Sequence, residues 1–135
     1  MLEADPSVIR VLIVDDHPLM RKGLADILAG VDGIELVGAA QDGAAALALA
    51  HAVKPDIILM DISMPGMDGI EATRRLGEMD NSARVVMLTS YSEREKITQA
   101  LEAGAVSYLT KDSPPEAVIR AIRSAAITPE RPQAQ

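Results

Sequence analysis

No cysteine, phenylalanine or tryptophan occurs in the 135 residues, and Tyr91 and Tyr108 are the two tyrosines. Without cysteine there is no disulfide framework, no thiolate metal centre and no thiol nucleophile. Such a composition fits a reducing cytoplasm, the expected location. A core lacking Phe and Trp has to be built from Val, Ile, Leu, Met and Ala, and the 48% apolar content supplies enough for one compact domain. No apolar run reaches the ~20 residues of a membrane-spanning helix. The opening Met-Leu-Glu-Ala-Asp-Pro is acidic and polar, unlike a secretory leader, so no membrane association is expected. Positive charge is also scarce. Thirteen Lys and Arg face 20 Asp and Glu, and the net charge of −7 gives a surface that repels nucleic-acid phosphates. The small basic groups at Arg74-Arg75 and at Arg120 and Arg123 are expected on solvated helix faces.

What the chain does have is a regular alternation of two periodicities. Val8 to Val14 is β-branched and apolar, and Pro18 to Gly30 follows with Met20, Leu24, Ile27 and Leu28 at helical spacing. Pro18 suits a first helical turn and Gly30 a C-terminal stop. Ile34 to Gly38 reads as a strand and Gly43 to Ala52 as an alanine-rich helix. Ile57 to Met60 is continuously apolar, as expected of a strand covered on both faces. Gly69 to Leu76 forms the third helix, with Asp68 as its cap and Glu71 at its third position. Val85 to Thr89 is a strand, and Ser92-x-x-Glu95 is a capping box opening the helix that carries Ile97 and Leu101. Val106 to Thr110 is the last strand, and Ser113-Pro-Pro-Glu116 starts the last helix. Five strand–helix units in one domain imply an α/β fold, with a parallel sheet and helices on both faces. Residues 1–127 are expected to form this domain. The tail 128–135, polar and with two prolines, reads as a linker or disordered end.

Polar residues of particular kinds stand where the apolar runs stop. Asp15 and Asp16 follow Val-Leu-Ile-Val, Asp61 follows Ile-Ile-Leu-Met, Thr89 closes Val-Val-Met-Leu, and Lys111 follows Ser-Tyr-Leu-Thr. In an open parallel sheet the carboxyl ends of the strands form one crevice, where ligands bind. These distant residues are therefore expected to meet. Two carboxylates about 4 Å apart repel by roughly 4 kcal/mol at an effective dielectric near 20. Three of them around one lysine leave a net negative hole that suits Mg²⁺. One carboxylate in such a place is able to act as nucleophile toward phosphorus, with the lysine and the threonine hydroxyl on the phosphoryl oxygens.

The segments Val-Leu-Ile-Val-Asp15-Asp16-His17-Pro18, Leu-Met-Asp61-Ile-Ser-Met-Pro65-Gly-Met-Asp-Gly69, Met-Leu-Thr89-Ser90 and Ser-Tyr108-Leu-Thr-Lys111-Asp112 together resemble the receiver domain of bacterial two-component response regulators. The resemblance runs from about Ile9 to Ala126. Its flavour is similar to regulators carrying a LuxR-type helix-turn-helix. It implies a flavodoxin-like doubly wound sheet of order 2-1-3-4-5. It also implies that Asp61 is the phosphoacceptor, taking phosphate from a sensor histidine kinase. Asp16 and Asp61 would hold Mg²⁺ directly, Asp15 mainly through water, and the backbone carbonyl of Ser63 would complete the protein ligands. Lys111 would contact the phosphoryl group, Thr89 would move toward it, and Tyr108 would turn inward as the switch. A homodimer on phosphorylation, and DNA contact only through a C-terminal domain absent from this chain, complete the implied output.

Single residues have simpler readings beside these. His17, next to the acidic pair, is expected to be a helix-start residue rather than a ligand, because Mg²⁺ prefers oxygen. His51 is expected on a helix face, Met60 and Met87 in the core, and Met64 and Met67 in loop packing. Asp112 stands where many receivers carry proline, and a cis peptide without proline costs ~2.5–4 kcal/mol. A large Tyr91, two residues past Thr89, would border the phosphoryl group and restrict attacking water. A phosphatase of the haloacid dehalogenase type would carry Asp-x-Asp after its first strand, whereas here the acids are adjacent. A flavin-binding module would carry a glycine- and hydroxyl-rich loop where Asp15-Asp16-His17-Pro18 stands. A receiver that docks without phosphate would not need all five site residues.

Overall fold

The computed structural model describes residues 7–79 and 81–127; the proposed tail 128–135 lies outside them. The five apolar runs become strands β1 (Ile9–Val14), β2 (Ile34–Ala40), β3 (Ile57–Asp61), β4 (Arg84–Thr89) and β5 (Ser107–Thr110). Between and after them lie α1 (Pro18–Leu28), α2 (Gly43–Val53), α3 (Gly69–Glu78), α4 (Ile97–Ala103) and α5 (Pro115–Ala126), with a 3₁₀ segment, Tyr91–Lys96, leading into α4. All pairings are parallel and the strand order is β2-β1-β3-β4-β5. The sequence reversal beside β1 puts a crevice at the carboxyl ends of β1 and β3.

Period-two alternation within each strand sends side chains to opposite faces. Leu12, Val14, Ile58, Met60, Val85 and Met87 face α2, α3 and α4, where Ala46, Ala50, Ala72, Leu76 and Ala100 are buried against them. Val11, Ile13, Ile57, Leu59, Val86 and Leu88 face α1 and α5 and meet Leu24, Leu28, Val118 and Ile122. Aliphatic side chains thus fill both layers. Small alanines on α2 bring that helix close to the sheet, and Gly43 at its start is tighter still: a Cβ there would lie 2.8 Å from the Met67 carbonyl oxygen.

Several boundaries differ from the sequence reading, each for a local reason. β2 runs two residues past Gly38, because Gly38, Ala39 and Ala40 pair with Leu12, Ile13 and Val14 after a register shift between Val11 and Leu12. α1 ends at Leu28, and Gly30 takes the positive φ (83°) of the turn that follows. The box before α4 is set at Ser90 and Glu93 rather than Ser92 and Glu95. β4 ends at Thr89, so Ser90 is the first extended residue, and its N–H donates to Glu93 Oε1 at 3.0 Å. Pro114, not Ser113, precedes the first turn of α5, while the Ser113 and Thr110 hydroxyls bond each other at 2.9 Å. Asp68 does cap α3, accepting from the Glu71 N–H at 2.8 Å.

A candidate phosphoryl and metal site at the strand ends

Because every strand is parallel, the carboxyl ends of β1, β3, β4 and β5 lie along one edge, and the polar residues after the apolar runs converge there. Asp61 is the last residue of β3 and fully buried. Its backbone is held on the β4 side by the Ile62 N–H donating to the Leu88 carbonyl at 3.1 Å. On the other side, the Gly69 N–H donates to the Ile62 carbonyl at 2.8 Å, bringing the start of α3 back onto the strand end. A Cβ at residue 69 would lie 2.1 Å from the Asp61 carbonyl oxygen, so only glycine fits there. Thr73 reinforces the turn by donating its hydroxyl to the Gly69 carbonyl at 2.7 Å.

Asp15 is also fully buried and is fixed by its N–H on the Ala40 carbonyl (3.1 Å) and by Arg21 donating to its own carbonyl at 2.8 Å. Lys111, at the exit of β5, places Nζ 3.0 Å from Asp61 Oδ1 and 3.3 Å from Asp15 Oδ2. Its backbone N–H donates to the Thr89 carbonyl at 2.8 Å, so the loop after β4 and the loop after β5 are tied together. Asp16 is partly exposed at the rim. Ser63, half-buried, donates its N–H to Asp61 Oδ1 at 3.3 Å. Asp15, Asp16, Asp61, Thr89, Lys111 and Ser63, all singled out from the sequence, are therefore brought to one place. Tyr108 stands apart, 49% exposed on β5, and Tyr91 is 84% exposed with the Arg94 guanidinium 5.6 Å from its ring centre. Tyr91 nevertheless lines a cleft together with Thr89, Thr110, Lys111 and Asp112. Every peptide bond among the described residues is trans, the one between Lys111 and Asp112 included.

Electrostatics mark the pocket as unfinished. Burial pushes the Asp61 carboxyl up to about 7, outweighing the Lys111 hydrogen bond that pulls it down, and the charge of Asp15 adds to the rise. Burial pulls Lys111 the other way, yet its hydrogen bond to Asp61 and the two carboxylate charges prevail and hold the ammonium above its ordinary value. Burial also works against Glu93, but hydrogen bonds from Ser63 and Ser90 outweigh it and keep its carboxyl below the usual range. Among the described residues, four buried polar atoms have no hydrogen-bond partner: Asp15 Oδ2, Asp16 Oδ1, Asp61 Oδ2 and Thr89 Oγ1. Orphaned acceptors of this kind are costly unless something fills the gap. The carboxylates of Asp15, Asp16 and Asp61, with the ring of His17, each offer a donor atom within 4.8 Å of the others. An oxygen-rich, anionic donor set of this span fits a hard divalent cation.

His17 is the residue whose involvement the sequence reading placed elsewhere. It does occupy the position before α1. Its ring, however, turns back over the pocket, with Nδ1 3.0 Å from Asp15 Oδ1 and 3.1 Å from Asp16 Oδ1. Its backbone is extended (φ −98°, ψ 113°), as a residue before proline favours, and the ring contacts with Asp15 and Asp16 hold the side chain over the strand ends.

A doubly wound sheet whose strand ends gather three aspartates, a threonine and a lysine defines a receiver-type α/β domain. The comparison with known proteins agrees: the profile of the response regulator receiver domain matches residues 11–123, and the chain belongs to that family of two-component signalling proteins. It is 44% identical over 119 residues to the transcriptional regulatory protein LiaR of Bacillus subtilis, covering 88% of this chain and 56% of LiaR. To the response regulator GacA of Pseudomonas aeruginosa it is 43% identical over 116 residues, covering 86% of this chain and 54% of GacA. The chain thus spans about half the length of these curated relatives. Among solved structures, a two-component response regulator of the LuxR family from Aurantimonas superposes with a TM-score of 0.83 at 37% identity, covering 89% of this chain and 86% of that one.

Proposed function

We propose that residues 1–127 form a phosphorylation-controlled switch in which Asp61 is the phosphoacceptor, and that 128–135 begin a linker. The observation that carries this reading is the Asp61 carboxylate itself. It is buried at the end of β3, gripped through one oxygen by Lys111 at 3.0 Å and left with no hydrogen-bond partner on the other. An Asp61 oxygen attacks the phosphorus of a phosphohistidine on a sensor kinase. The P–N bond breaks, and the imidazole leaves with a proton from water as the acyl phosphate forms. Lys111 pairs with one phosphoryl oxygen, and the Thr89 hydroxyl, now without a partner, donates to another. Asp16, Asp61 and the Ser63 carbonyl would hold Mg²⁺, with Asp15 acting through water. Bound there, the ion would supply positive charge to offset that of the carboxylates and the phosphoryl group.

Tyr108 follows Thr89 inward and remodels the face made by α4, β5 and α5. Output by way of a homodimer and of a DNA-binding domain outside this chain belongs to the same proposal; the transcriptional output is supported by LiaR, a transcriptional regulatory protein of which this chain spans 56%. Among the described residues no helix is long and apolar enough to cross a membrane, which accords with a cytoplasmic location. The domain is a phosphoacceptor and not a turnover enzyme. Incubation with acetyl phosphate and Mg²⁺ is expected to add one phosphoryl group, seen by intact-mass spectrometry. Asp61→Asn should take up none, and undiminished labelling of that variant would overturn the assignment.

A further inference from the structure

His17 makes contacts that a helix-start residue does not need. Its N–H donates to Asp15 Oδ1 at 2.8 Å, which fixes the backbone, and Pro18 restricts it to the extended region it occupies. With backbone and neighbours so constrained, the ring lies across the mouth of the acidic pocket, 64% exposed on its outer side. Only one of its contacts there, to Asp15 Oδ1, is a hydrogen bond. Asp16 Oδ1, at 3.1 Å from Nδ1, and Asp61 Oδ2, at 4.0 Å, both remain buried without a hydrogen-bond partner. A proton on Nδ1, given to Asp15, therefore leaves one oxygen of Asp16 and one of Asp61 without a partner.

A metal ion leaves none. In an octahedron with bonds of about 2.1 Å, adjacent donor atoms lie about 3.0 Å apart and opposite ones about 4.2 Å apart. Nδ1 stands 3.0 and 3.1 Å from the oxygens of Asp15 and Asp16, and 4.0 Å from that of Asp61. These separations are those of a nitrogen adjacent to the first two donors and opposite the third. Resting on the metal site proposed above, but with Asp15 Oδ1 bound directly and not through water, we infer that His17 Nδ1 is a ligand of that site, which therefore takes nitrogen-accepting first-row cations in preference to Mg²⁺. Imidazole binds Ni²⁺, Co²⁺ and Zn²⁺ through its lone pair, whereas Mg²⁺ dehydrates reluctantly and keeps to oxygen. In the presence of Mg²⁺ the ring swings out toward solvent and water takes its place.

His51 is the other histidine of the chain, so the test uses tag-free protein in a His51→Ala background. Two readouts are independent of phosphorylation. Pulsed electron paramagnetic resonance of the Mn²⁺-loaded domain reports whether a ¹⁴N nucleus is bonded to the ion. Calorimetric titration compares Ni²⁺ with Mg²⁺. The expected result is a directly bonded nitrogen that disappears in His17→Phe, together with a loss of about tenfold or more in Ni²⁺ affinity and a change under about threefold for Mg²⁺. Circular dichroism confirms that the variant is folded. Mn²⁺ binding without any ¹⁴N coupling, or equal losses of Ni²⁺ and Mg²⁺ affinity in the variant, would overturn this inference while leaving the Mg²⁺ site standing. Failure of the parent protein to bind either ion would overturn both.

Discussion

Asp61 titrates far from its unfolded value, and the stability of the metal-free domain has to reflect this. Its carboxyl moves from 3.8 to about 7 on folding, chiefly through burial. Between those values the unfolded chain releases the proton and the native site keeps it. The raised value therefore contributes stability below pH 4 that is lost as pH rises, and the loss is complete once pH has passed 7. About three units at 1.36 kcal/mol each give a ceiling of roughly 4 kcal/mol. Asp61→Asn removes the titration and little else: the amide has the same shape, stays neutral throughout, and leaves Lys111 its contact with Asp15. In urea unfolding with EDTA present, the variant should match the parent near pH 4. By pH 8 it should be more stable by about 2–4 kcal/mol. Comparing the two proteins at each pH cancels every other titrating group they share. Excess Mg²⁺ should shrink the gap, since it binds the native parent with its full carboxylate set and stabilises it by mass action. A difference between the proteins that is flat from pH 4 to 8, or an Asn variant that is the less stable at pH 8, would refute the reasoning.

Two other substitutions probe the frame of the site. Thr89→Val replaces a buried hydroxyl that has no hydrogen-bond partner with a methyl group. It should stabilise the domain by about 1 kcal/mol or more in urea and slow acetyl phosphate labelling, and a loss of stability would show that the hydroxyl is satisfied. Gly69→Ala places a methyl against the Asp61 carbonyl, so it should cost at least about 1–3 kcal/mol and impair labelling. Unchanged melting and labelling would mean that the turn relaxes freely.

The sheet was legible because its strands are continuous apolar runs with covered faces, and the site because polar residues interrupt those runs at their ends. Asp61 stands out for this reason: a carboxylate closing Ile57–Met60 has no solvated surface to reach. Legibility faded where interactions over long sequence distance decide. β2 reaches Ala40 because β1 offers ladder partners there, which the weakly apolar Gly38-Ala39-Ala40 does not advertise. Two Ser-x-x-Glu patterns overlap before α4, and the one at Ser90 forms because β4 ends at Thr89. Tyr91 lines the cleft beside Thr89 and Lys111, while the contact of its ring with the Arg94 guanidinium is not encoded by the strand-end pattern. For His17, the side chain is turned by its contacts with the Asp15 and Asp16 carboxylates, which motif spacing does not encode.

β5 is the shortest strand described, four residues with a neighbour on one side only. Its exit is fastened by the Lys111 N–H on the Thr89 carbonyl and by the Lys111 ammonium, which reaches past β4 to carboxylates on β3 and β1. The inner strands are held by aliphatic contact on both faces, a force indifferent to charge. β5 has its ladder to β4 and Leu109 packed against the core as well, but its exit alone is tied by attraction to two anions. A change of charge at the centre of the sheet therefore bears first on the anchor of this edge strand, from which α5 departs.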